Sequence, residues 1–120
     1  MSSTPEKSPA VDEVLSSLAA GTEPDKAALR EAVRALLKDL GTLAPGRSVE
    51  VRVPPYGAIQ CVEGPRHTRG TPANVVEMSP VTFVEIATGR TTWADAVRDG
   101  RISASGIRAD ISHLFPFCLR

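Results

Sequence analysis

The chain is short of the residues that most often do chemistry. Its 120 residues include two histidines, His67 and His113, and two cysteines, Cys61 and Cys118. A metal site calls for more Cys or His at ligand spacing than these scattered four provide, so no metal and no cofactor is expected. The two cysteines lie far apart in sequence, and a core of this size needs no covalent staple. They read as free thiols of a reducing compartment. No G-x-S-x-G elbow, phosphate-binding glycine loop, H-E-x-x-H or C-x-x-C occurs. Charge of one sign is also lacking: fourteen basic residues balance fourteen acidic ones. That argues against nucleic acid as a partner, because binding it takes a cationic surplus to displace counterions from phosphates. It argues equally against strong whole-molecule attraction to anionic membranes. No apolar run approaches the roughly 18–20 residues needed to cross a bilayer. The opening MSSTPEKSPA is polar and resembles no signal peptide, so the expected location is cytoplasmic.

What is present is a succession of short amphipathic elements, enough for one domain. Ser8-Pro9 reads as a cap and first helical position, followed by Val11, Val14, Leu15 and Leu18 on one stripe and a stop at Gly21. A second helix is predicted from about Pro24 to Leu40, closed by Gly41, with Lys26, Arg30, Glu31, Arg34 and Lys38 on its solvated side. From Ser48 the period becomes two: Val49, Val51 and Val53 face one way, Glu50 and Arg52 the other. Pro54-Pro55 ends that strand. Further strands are predicted over 57–63 and 74–78, separated by the loop GPRHTRGTP.

Ser79-Pro80 repeats the cap-and-proline signal for a helix with Phe83, Ile86 and Ala87 inward, ending near Gly89. Thr92 and Asp95 have capping-box spacing and open a short helix with Trp93, Ala96 and Val97 on one side. Ile102 and Ala104 read as the core face of a fourth strand. Ile107, Ile111, Leu114 and Phe115 recur at i, i+4, i+7, i+8 and predict a last helix that Pro116 terminates. The organisation expected is a disordered tail over 1–8, a helical segment over 9–41 packing on the domain, and a sheet-and-helix domain over 42–120.

Three constellations are candidates for function. Asp110 and His113 stand at i, i+3, a spacing at which a carboxylate orients an imidazole or simply forms a surface pair. The loop residues Arg66, His67 and Arg69, beside glycines, suit a carboxylate or phosphate head group, or are an ordinary solvated loop. Phe83, Ile86, Trp93, Val97, Ile102, Ile111, Leu114 and Phe115 form either a plain core or the lining of a lipid pocket, which uses the same residue types. Aromatics make up only 4% of the chain, yet four of the five fall between Phe83 and Phe117. That clustering favours a pocket in this half.

The segment SPVTFVEIATGRTTWADAVRDGRISASGIRADISHLFPF resembles the C-terminal half of the sterol carrier protein type 2 family. The likeness rests on Ser79 opening a helix with Phe83 inward, the Gly89-Arg90 step, and Asp99-Gly100 leading into Ile102-Ser103-Ala104-Ser105-Gly106. With the run VPPYGAIQCVEGPRHTRGTPANVVE, the chain is similar to small stand-alone actinobacterial orthologues of that family. The resemblance implies an α/β (α+β) fold: a mostly antiparallel sheet of four to five strands covered by helices, here with two extra N-terminal helices. It implies an apolar tunnel for a sterol, fatty acid or fatty acyl-CoA, and a carrier rather than an enzyme. Two alternatives stay open. One is an accessory domain with a filled core that forms a homodimer or supports a protein partner. The other is part of a small-thiol-dependent isomerase, which would need Cys61, Cys118, His67 or His113 to converge.

Overall fold

Three helices start where a short polar side chain takes up an otherwise unpaired amide. The computed structural model describes residues 8–64 and 74–119. Asp25 accepts from the Ala28 amide at 3.0 Å and opens α2, Lys26–Leu43. Ser79 does the same for α3, Pro80–Thr88, and Thr92 for α4, Trp93–Arg98. Such caps satisfy amides that the helix itself cannot. The first helix, α1 (Pro9–Ala19), differs from expectation, because the Ser8 side chain makes no capping bond. There Pro9 fills a first-turn position and removes one of the amides that need a partner.

Gly41 does not close α2. The helix runs through it to Leu43, because Gly41 answers a packing need: a Cβ there would fall on Ile59 Cδ1 of the sheet. The glycine lets strand and helix approach closely, at the cost of helix propensity.

Four strands form the sheet among the described residues: β1 (Val49–Val53), β2 (Gly57–Cys61), β3 (Val75–Met78) and β4 (Ile102–Ser105), in the order β2-β1-β3-β4. β1 pairs parallel with β3, and the two outer pairings are antiparallel. The register puts Val49, Val51 and Val53 on the same face as Cys61, Ile59, Val76, Met78 and Ile102. Helices cover that face, and Val51, Val76, Ala32, Val33, Leu36, Leu40 and Phe83 are buried in one continuous core. The other face carries Glu50, Arg52, Gln60, Glu77, Ser103 and Ser105, with an Arg52–Glu50 ion pair at 2.9 Å. This is the fold class expected, with the mostly antiparallel sheet.

The last third departs from its prediction in three places. No helix runs from Ile107 to Phe115; there is a single 3₁₀ turn, Ser112–Leu114. The Asp110 carboxylate accepts the Ser112 amide at 3.0 Å, a local bond that competes with the helical ladder. Pro116 then forces Phe115 into extended backbone, ψ 143°. Ile107 is 98% exposed and belongs to no apolar stripe. Val97 is 43% exposed, because this short helix turns Ala96 to the core and the next residue comes round by about 100°. Ala104 shares the inner face with Ile102 but is exposed, since β4 is an edge strand that the helical layer does not fully cover.

Candidate functional site

The aromatic side chains gather where α3, α4 and the C-terminal strap (115–119) meet. Phe83, on the inward face of α3, is fully buried. Phe115 meets it edge-on, ring centroids 6.5 Å apart at 77°, and Phe117 approaches it at 6.4 Å. Trp93, at the first position of α4, stacks on Phe115 at 5.5 Å and 30°. Phe115 and Phe117 are 5.4 Å apart. Edge and offset geometries of this kind add about 0.5–1.5 kcal/mol per pair beyond area burial. Trp93, Phe115, Phe117 and Leu114 are only half-buried against the core.

One acceptor pins two amides of the strap. Ala87 O, in the last turn of α3, accepts the Phe117 amide at 3.0 Å and the Cys118 amide at 2.8 Å. Gly89 closes α3 in the left-handed conformation, φ 84°. A Cβ at that position would lie 3.3 Å from Leu119 and 3.5 Å from Pro116, so the strap rests directly on this turn. Around the outside runs a chain of ion pairs. It links Arg90 to Glu85 (3.4 Å), Glu85 to Arg101 (3.2 Å), Arg101 to Asp99 (3.4 Å), Asp99 to Arg98 (3.6 Å) and Arg98 to Asp95 (3.0 Å). Acids and bases alternate one for one along this chain of pairs.

Of the eight apolar residues expected to line a pocket, Phe83, Ile86, Ile102 and Ile111 are buried, Trp93, Leu114 and Phe115 half-buried, and Val97 exposed. Phe83, Trp93 and Phe115 come together as rings. The sequence reading did not single out Phe117. Phe117 follows the proline that ends the last apolar stripe, so no period of the sequence reaches it.

Arg66, His67 and Arg69 lie outside the described residues. His113 and Asp110 are both exposed, and Asp110 is engaged with Ser112. The Ser112 hydroxyl first, then its amide and nearby His113, hold the Asp110 carboxyl below its ordinary range. Cys61 faces the core opposite Val49, and burial pushes its thiol up to about 11. A nucleophilic thiol needs the reverse shift, toward thiolate at neutral pH. Cys118 sits half-buried in the strap.

Among the described residues, no helix is long and apolar enough to cross a membrane. Residues 25–117 match the family described as Bacterial SCP ortholog. The match takes in α2 and everything through Phe117, and leaves α1 outside it. No curated protein matches the chain.

Proposed function

This chain belongs to the bacterial sterol carrier protein ortholog family, and on that premise we propose that it binds one apolar lipid at its aromatic corner. The ligand class is a fatty acyl chain or a sterol-like molecule, and the role is to hold or move it without transforming it. The observation that carries the reading is a set of half-buried rings: Phe115 and Phe117 rest on buried Phe83, and Trp93 stacks on Phe115. Rings in this state are apolar, packed on one side and open to rearrangement on the other. An acyl chain laid among them gains about 0.8 kcal/mol per buried CH₂, so burial of a long chain contributes several kcal/mol without any polar group. The strap is the element proposed to shift, its Phe117 and Cys118 amides sharing the single carbonyl Ala87 O. The lipid's polar head stays in water, where balanced surface charge tolerates different head groups. This reading needs no catalytic residue, and a buried Cys61 thiol raised to about 11 does not invite one.

Native mass spectrometry of gently purified protein, with displacement of a fluorescent fatty acid, tests the proposal. The expected result is a 1:1 lipid complex whose affinity drops about tenfold or more in Phe117→Ser, a loss of roughly 1.4 kcal/mol. Protein that stays free of lipid in both assays, with no displacement by any fatty acid or sterol, refutes it.

A further inference from the structure

The C-terminal end of α3 holds two pieces of the chain that are remote in sequence. Ala87 O takes the Phe117 and Cys118 amides of the strap, and Gly89 carries Pro116 and Leu119 against its open face. The next residue, Arg90, reaches the other way. Its Nη2 donates to Leu18 O at 3.2 Å, in the last turn of α1, while its Nε pairs with Glu85 at 3.4 Å. Leu18 O also accepts the Gly21 amide at 3.1 Å, so Arg90 is its second donor, placed at the negative end of the helix dipole.

α1 lies outside the residues that match the family, and it packs through Ala10, Val11 and Val14, with Leu15 and Leu18 half-buried. Its connection to α2 turns at Gly21, φ 72°, where a side chain would meet nothing within 4 Å, and continues through exposed Thr22 and Glu23. Val11 and Val14 are fully buried and Thr22 bonds back to Ser17 O, so α1 is firmly docked, yet opening it alone as a unit costs less than global unfolding.

We infer that the turn Ala87 to Arg90 couples the docking of α1 to the closure of the C-terminal strap over the aromatic corner, with Arg90 as the positioning residue. When α1 is docked, the Leu18 bond fixes the Arg90 side chain and with it the backbone of the turn on which the strap lies. When α1 leaves, Arg90 loses that acceptor and the turn loses its anchor on one side. Coupling through a two-state element is reciprocal: whatever factor α1 exerts on the strap, the strap exerts on α1. Its consequence, that displacing α1 eases lipid entry, rests on the proposed function; the coupling itself does not.

Hydrogen exchange on the full chain without lipid separates the two. Arg90→Ala is expected to speed exchange several-fold at the α1 amides and also at the Phe117 and Cys118 amides, with the central sheet unchanged. Arg90→Lys, which keeps a cation near Leu18 O, is expected to restore part of the protection at both sites. Arg98→Ala, removing a cation that pairs with Asp95 and Asp99, is expected to leave both at wild-type rates. Phe117→Ala is expected to loosen the strap and to speed α1 exchange as well. The coupling is overturned if Arg90→Ala loosens α1 while the strap amides keep their rates, if Phe117→Ala leaves α1 unchanged, or if exchange rises uniformly across the sheet. Failure of the lipid assays alone would leave these exchange results standing.

Discussion

The centre of the molecule and its aromatic corner are built from different materials. In the centre, Val51, Val76, Ala32, Leu36 and Leu40 interdigitate between sheet and α2, and each is at most 1% exposed. Branched aliphatics of this size fill space in fixed rotamers, and the result is closed. In the corner, one buried ring supports Phe115 and Phe117, Trp93 stacks on Phe115, and two amides of the strap share one acceptor. On the proposed function the difference separates stability from binding: the closed centre holds the fold, and the half-buried corner takes the apolar guest.

Several substitutions sharpen or break that contrast. The largest effect is expected in the centre, where Leu36→Ala should cost about 2–5 kcal/mol in urea unfolding, as for other buried leucines. Next is the buried thiol. The Cys61 pKa rises from 9.0 to about 11 on folding, so its neutral form favours the native state. That contribution is fully present below pH 9.0 and is lost as pH rises from 9.0 toward about 11. The loss should reach roughly 2–3 kcal/mol at the alkaline end, and a Cys61→Ala variant should lack this fall. Phe117→Ala should cost less, about 1–2 kcal/mol, because the ring is half-buried to begin with. A loss equal to that of Leu36→Ala would show that the corner is as closed as the centre and would break the comparison.

Smaller effects lie at the surface. Asp110 has a lowered carboxyl pKa, so its contribution is present above its ordinary 3.8 and disappears as pH falls through the lower folded value. Asp110→Asn should flatten only that acid limb of the stability profile. Arg98→Ala should change unfolding by under about 0.5 kcal/mol, since exposed ion pairs contribute little.

The centre was far more legible in the sequence than the corner. Alternating Val49, Val51 and Val53, and Leu36, Leu37 and Leu40 on one helical face, announce their burial because a single period governs each element. Ser79 and Thr92 announce helix starts by chemistry that is wholly local. The corner misled because its spacing is helical and its backbone is not. Ile107, Ile111 and Leu114 fit a stripe, but the Asp110–Ser112 bond and Pro116 win over it. Gly41 misled for a related reason: a glycine that makes room for Ile59 looks, in sequence, like one that ends a helix. Pairings across the fold, such as Phe117 with Phe83 and Arg90 with Leu18, join residues too distant for any period to reveal.

Trp93 is the only tryptophan in the chain and lies in the corner, stacked on Phe115. Titrating the protein with a fatty acid brominated along its chain therefore tests the central claim directly, because bromine quenches indole fluorescence on contact. The account predicts saturable quenching at about one lipid per protein, reversed by an unbrominated competitor and weakened in Phe117→Ser. Fluorescence that stays constant, or that falls linearly without saturation and is not reversed by competitor, would contradict it.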